Sequence, residues 1–401
     1  MQRETTPDVL RGFALLGILV VNIQFMALSS DQGARGEWTH GLVNGGATWI
    51  IAAIFAGKFY LLFSFLFGYS SSYIIKNDKA NRGRWIKRCF ALMAFGAIHF
   101  TFLWHGDIIF VYGLFGLLLL AFMFRTDRVI KIWTRVIYSL SAILITLAAV
   151  SLLIGERYFP EQMNNDYVAP RLDEVLRNGT FLEAISPRVE LWIFGLITGI
   201  FLQGGLAFAA FLLGMRLARS NFLSANHDKV RNTRMIKFGL FIGLPIQVFA
   251  ASLLVRNEQS AEPSEAVYLS TLFLGFLTAP LLSMAYVGII RKLVIAKPQA
   301  VSWMAPAGKM SLTNYISQSV LTSVIFGAWG LGLFQELQIW AVLLLAISIW
   351  LTLTYFSALW LKRFNQGPLE KLMGIVTSKS SIGSSKGCKS ILKLSTFWGQ
   401  I

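Results

Sequence analysis

Residues 9–29 read VLRGFALLGILVVNIQFMALS, and this stretch decides the class of the fold. Wound as a helix at 1.5 Å per residue, it is long enough to cross the roughly 30 Å hydrocarbon core of a bilayer. Nine further runs of the same kind follow, at about 54–75, 89–105, 108–124, 136–154, 192–217, 237–255, 267–290, 306–326 and 339–361. Of 401 residues 55% are hydrophobic and only 14% charged, whereas soluble domains carry about 25% charged side chains. A soluble enzyme and a disordered chain are thereby excluded. The expectation is an all-α integral membrane protein with about ten transmembrane helices in one domain, residues 1–376.

The net charge of +16 invites a nucleic-acid reading, but the basic residues sit in short loops between apolar runs and no nucleic-acid motif accompanies them. Loops 76–88, 125–135, 216–237, 291–297 and the chain from 362 hold 26 of the 36 Lys and Arg residues, against 6 in the intervening loops. The positive-inside rule then puts both termini in the cytoplasm of a multi-pass plasma-membrane protein. Its expected partner is the lipid bilayer, with no nucleic acid, and the oligomeric state is left open. The first run carries Arg11 and Asn22 and spans fully, so it is read as a retained helix and not a cleaved signal. Cys89 and Cys388 both fall on the cytoplasmic side, where no disulfide is expected.

Three segments stand apart from the spans. Residues 47–53 extend the second run and are read as an interfacial helix or a tilted extension. The polar outer segment 155–190 contains Pro160, Pro170 and Pro187 and is expected to be a small cap or an irregular loop. Residues 377–401, rich in Ser and Lys, are expected to form a disordered tail.

Polar groups inside a bilayer are costly, which makes them the informative residues. Asp8 and Arg11 share a helix face, either as a local ion pair or with Arg11 as an anion site for a phosphorylated cytoplasmic ligand. Asn22 lies further along the same helix. His99 is either a packing residue or a proton-transfer group. Asp107 is positioned to cap the fourth helix. Lys58 should lie at a depth similar to that of Asp107, and an ion pair between them is expected. Ser311, Asn314, Tyr315, Gln318, Ser319 and Thr322 recur at spacings of three and four on the ninth helix, as interhelical glue or, preferably, as a cavity wall. Pro245 and Pro280 are candidates for breaking helices seven and eight. Histidines 40, 99, 105 and 227 are too scattered for a metal site, and no nucleophile elbow is present.

Several segments resemble the YeiB family of bacterial multi-spanning proteins, a domain of unknown function. They are Asp8-Val-Leu-Arg11-Gly12 through Asn22, Gly57-Lys58-Phe59 with Leu62 to Gly68, and His99 through Trp104 with Gly106-Asp107-Ile108 and Tyr112-Gly113. Gly308 to Tyr315, Gln318-Ser319 and Gly367-Pro368-Leu-Glu370 complete the set. The resemblance covers residues 3 to about 376. That family is remotely similar to acyltransferase-3 and heparan-glucosaminide acetyltransferase type enzymes, which move an acyl group from cytoplasmic acyl-CoA to an acceptor on the other face. The latter group's catalytic histidine, followed by Asn-Gly, is matched in spacing by His40, Asn44 and Gly45, with Val43 in place of the expected Trp.

The resemblance implies acyl transfer from acyl-CoA, a co-substrate and not a resident cofactor, to a small-molecule or glycan acceptor. Catalysis would rest on His99 and Asp107, or alternatively His40. Substrate binding would fall to Arg11, Asn22, Lys58, Ser311, Asn314, Tyr315 and Gln318, with no metal. The alternative is transport of a small solute, coupled to protons through His99 and Asp107.

Overall fold

The computed structural model describes residues 5–160, 167–224 and 229–377. Every regular element among them is helical. The first is α1 (Thr5–Ala27). A broken pair follows, α2 (Leu42–Ile50) and α3 (Lys58–Ile75). The hairpin of α4 (Arg82–Phe102) and α5 (Ile109–Leu119) leads to the long α6 (Asp127–Tyr158). A short helix, α7 (Arg171–Asn178), precedes α8 (Ile185–Gly199) and α9 (Gly205–Ala218). Then come α10 (Lys229–Phe238), α11 (Leu244–Glu258) and α12 (Glu265–Ala296). The last four are α13 (Ala305–Lys309), α14 (Ser311–Phe326), α15 (Ile339–Arg363) and α16 (Pro368–Thr377).

Seven of these stretches are long and apolar enough to cross a membrane: α1, α2–α3, α6, α8–α9, α10–α11, α12 and α15. The other three expected runs also form helices, but α4 opens on basic residues, α5 is short and α14 spans only Ser311–Phe326. The tail expected to be disordered lies, from residue 378, outside the described residues.

Helix α1 is central and α6 peripheral: 61% of the apolar window of α1 is buried, against 11% in α6. Leu140, Ile143, Leu144 and Leu147 of α6 are exposed, as side chains facing lipid tails should be. Close approach elsewhere depends on small residues. A Cβ at Gly68 would stand 2.0 Å from the Phe211 carbonyl oxygen, and one at Gly214 2.0 Å from that of Phe65. Helices α3 and α9 therefore touch backbone to backbone, the arrangement that small residues permit within membranes.

Three long helices each contain one π-turn, at 51–55, 200–204 and 239–243. The first ends in a true break: Gly57, at φ +80°, separates α2 from α3. The interfacial helix or tilted extension expected at 47–53 is thus part of a separate half-helix. Pro280, by contrast, lies inside an unbroken α12. Side chains of neighbouring helices bond the carbonyls on either side of Phe276, whose own helical donor the proline removes: Gln247 donates to Gly275 (2.8 Å) and the Tyr138 hydroxyl to Leu277 (2.8 Å). Pro245 follows the π-turn at 239–243 inside the continuous helix Lys229–Glu258, where the wider turn accommodates a residue without an amide.

The segment expected to be a small cap or an irregular loop contains a short helix among its described residues. Helix α7 buries Leu172 and Leu176, and the Asp173 carboxylate accepts from the Ser30 amide at 3.0 Å. Desolvation pushes the Asp173 carboxyl up from its usual range, against the lowering effect of that hydrogen bond.

Candidate functional site

At the C-terminal end of α4 the chain builds a three-residue relay. The His99 carbonyl accepts from the amides of Leu103 (2.8 Å) and Trp104 (3.0 Å), closing the helix. Asp107 then caps α5: its Oδ1 accepts from the Phe110 amide at 2.7 Å, as its position before the apolar run predicted. Its other oxygen, Oδ2, lies 2.8 Å from Nδ1 of His99, and both side chains are fully buried. On the opposite edge of the ring, Nε2 lies 2.8 Å from the Ser319 hydroxyl of α14. With Nδ1–H donating to the carboxylate, Nε2 is left to accept the serine proton. A Cβ at Gly96 would stand 2.3 Å from the Phe110 amide nitrogen and 2.7 Å from Asp107 Oδ1. Only glycine there lets the α5 N-terminus come within reach of His99.

Aromatic rings enclose the relay. Tyr315 packs 5.1 Å and Trp104 6.4 Å from the His99 ring, centroid to centroid. Beside Asp107 opens a cleft of about 250 Å³, walled by Tyr60, Trp192, Gly195, Gly199 and Gln203.

Lys58 and Asp107 do not pair. The Lys58 ammonium is fully buried and donates to the Ala52 carbonyl at 2.6 Å. The break at Gly57 leaves carbonyls at the end of α2 without helical partners, and the lysine fills one of them. Tyr286 of α12 satisfies another, at Ile54 (2.8 Å), and Ser283 adds a bond to the carbonyl of Lys58, the first residue of α3 (2.9 Å). Asp107 is already engaged by His99 and the Phe110 amide, so neither group needs the other.

The polar face of α14 divides. Tyr315 and Ser319 turn toward His99, whereas Asn314 donates to Ala307 O (3.1 Å) and Ser357 Oγ (2.8 Å), and Gln318 to Leu15 O (3.3 Å). Thr322 donates back to Gln318 O, and Ser311 is half-buried at the helix start. Asn314 and Thr322 border two different voids. The face is therefore not one cavity wall: much of it holds α14 against α13, α15 and α1.

Arg11 donates to Asp8 at 2.8 Å and also to the Ser70 hydroxyl. The i,i+3 pair read from the sequence is formed. Asn22 is half-buried. His40 is exposed and stands apart from the relay, with Nε2 donating to the Glu258 carbonyl at 3.3 Å. Its loop is pinned by Arg35 to Glu258 (3.2 Å) and by Gln259 to Thr39 O (2.7 Å), and Asn44 bonds Gln338 at 2.7 Å.

Two contributions were not singled out by sequence reasoning. Ser319 appeared only as one member of a polar face. Glu370 appeared only as part of a motif, yet its carboxylate accepts from the Leu312 amide (2.8 Å), the Thr313 amide (3.2 Å) and the Thr313 hydroxyl (2.6 Å), capping α14. The signal was the free amides of a helix beginning at Ser311, which need an acceptor from somewhere.

Residues 217–379 match the family described as "Protein of unknown function (DUF418)". The chain is 28% identical to "Uncharacterized protein YeiB" of Escherichia coli (strain K12), over 95% of its length and 98% of the relative's. It is 27% identical to "Uncharacterized protein YxaH" of Bacillus subtilis (strain 168), over 91% and 92%. A Bacillus acidopullulyticus relative, "Uncharacterized 39.9 kDa protein in amylase 3'region", is 27% identical over 94% of both chains. No solved structure matches. With a DUF418 match in its C-terminal part and relatives aligned almost end to end, the chain is similar to the YeiB family over nearly its whole length.

Proposed function

We propose that this protein is a membrane-embedded acyltransferase in which Asp107, His99 and Ser319 act as a relay. The observation that carries the reading is the buried carboxylate–imidazole–hydroxyl chain, with 2.8 Å at both joints. The same order of groups activates serine on unrelated folds, where it is recognised by geometry and not by sequence position. His99 takes the Ser319 proton as the oxygen attacks a thioester carbonyl, and returns it to the departing sulfur. An acceptor hydroxyl or amine then attacks the acyl-serine, with His99 moving its proton to the Ser319 oxygen.

Arg11 fits the donor's phosphates. Gln318, next to Ser319, bonds the Leu15 carbonyl, which lies one helical turn along α1 from Arg11. In this reading α4, α5 and α14 complete ten crossings of the plasma membrane, both termini are cytoplasmic and the relay lies toward the outer face. Cys388 should then resist an impermeant thiol reagent in sealed cells and react after permeabilisation; Cys89 is buried and silent.

The test is incubation of purified protein with radiolabelled acyl-CoAs. A base-labile label mapping to Ser319, and absent from Ser319→Ala and His99→Gln, is expected. Absence of protein-bound label and of acyl transfer across a broad acyl-CoA panel sinks the reading. Proton-coupled transport is the second reading, favoured by the buried Lys58 ammonium at a broken helix. It predicts solute-dependent proton flux in proteoliposomes.

A further inference from the structure

Arg188 lies in the first turns of α8 and is 2% exposed. Its Nη1 donates to the Phe102 carbonyl at 3.0 Å, and its guanidinium faces the rings of Trp329 (5.1 Å) and Phe181 (5.3 Å). Among the described residues no carboxylate lies within ion-pair distance of it. A buried charge without a counter-charge is expensive, and that expense points to a partner from outside the chain.

A second, independent feature lies at the same place. Trp104 is 93% buried by its 7% exposure, and its indole N–H finds no acceptor among the described residues. Arg188, Trp104, His105, Thr322 and Ser323 line one small cavity, closed elsewhere by apolar side chains of α1 and α7. The cavity has room for little more than one water-sized group, which excludes a nucleotide and suits the oxygen end of a small anion.

We infer that this cavity is a binding site for a small monovalent oxyanion, a carboxylate or phosphate group reaching it from the outer face. With Nη1 committed to Phe102, the Nε–Nη2 edge of Arg188 remains, and that edge receives two oxygens of one anion side by side. The Trp104 N–H supplies a third donor. The site adjoins the relay without sharing its groups: Thr322 lies one turn beyond Ser319 on α14, and His105 two residues before Asp107. The inference does not depend on acyl transfer, since a transported or regulatory anion would use the same donors.

The experiment measures thermal unfolding of the full-length protein in phosphatidylcholine nanodiscs, titrated with sodium acetate or inorganic phosphate against sodium chloride at matched ionic strength. Wild-type protein should gain stability saturably with either oxyanion, because the ligand binds the folded state. Arg188→Gln should raise the midpoint concentration by at least about 30-fold, as expected for a lost buried charge partner. Trp104→Phe keeps the ring, removes one donor and should raise it about fivefold; it decides the matter if Arg188→Gln does not fold. Phosphatidylglycerol nanodiscs separate the sources. A lipid head group in the site raises basal stability there and abolishes the acetate response, whereas a free anion acts equally in both lipids. Wild-type curves that are the same in all three salts and both lipids overturn the site, as does an oxyanion response unchanged in both variants.

Discussion

The Nε2 of His99 and the hydroxyl of Ser319 lie 2.8 Å apart across a sequence separation of 220 residues. Helix packing, not local chain geometry, makes this contact. His99→Gln preserves approximate size and hydrogen-bonding capacity but cannot carry a proton at neutral pH. It should fold and lose about 10²–10⁴-fold in acyl-transfer rate, the usual contribution of a general base. Intact activity per folded molecule would make His99 a packing residue.

Asp107 and Lys58 should behave as strangers. Asp107→Asn weakens the bond to His99 and should cost about 1–3 kcal/mol. Lys58→Met removes a buried ammonium that has no carboxylate to strand, so its cost should be smaller. The double mutant should equal the sum to within about 0.5 kcal/mol. A double mutant more stable than that sum by a larger margin, measured by chemical unfolding in micelles, would restore the ion pair.

Glu370 caps the helix that carries Ser319. Glu370→Ala should lower stability by about 1–2 kcal/mol, as for other lost caps, and Glu370→Gln by less, because an amide oxygen still accepts. Equal melting temperatures for Glu370→Ala and wild type would show that the amides of Leu312 and Thr313 do not need it.

Gly68 and Gly214 set the spacing of α3 and α9. Each alanine substitution puts a methyl against a carbonyl oxygen 2.0 Å away, and each should cost about 1–3 kcal/mol by overpacking. Gly46, whose Cβ would meet nothing within 4 Å, provides the control: Gly46→Ala should leave the unfolding midpoint unchanged.

The spans were legible because hydropathy reports the solvent directly. His99, the Asp107 cap and the Asp8–Arg11 pair were legible for a related reason, since each is local or stands out against apolar neighbours. Lys58 and Asp107 were mismatched because equal depth says nothing about direction around a bundle. The lysine instead found an acceptor six residues back, which only the break at Gly57 makes available. The spacing of the α14 face showed that its polar groups share a side. It could not say that Ser319 meets α4 while Gln318 meets α1, since that depends on which helices flank it. Arg188 was hidden in a loop count, where it served as one more outer charge.

The break between α2 and α3 has a consequence for biogenesis. Its open carbonyl at Ile54 is bonded by Tyr286, which lies 232 residues later in the chain. At the roughly 5–20 residues per second of translation, that interval is about 10–45 s. Throughout it the second segment leaves the ribosome with an open carbonyl that lipid cannot satisfy. Until α12 arrives, the nascent protein must keep that group hydrated in the insertion channel or held by a chaperone. Assembly of the α2–α3 segment therefore follows synthesis of α12, whatever the order in which the helices enter the membrane.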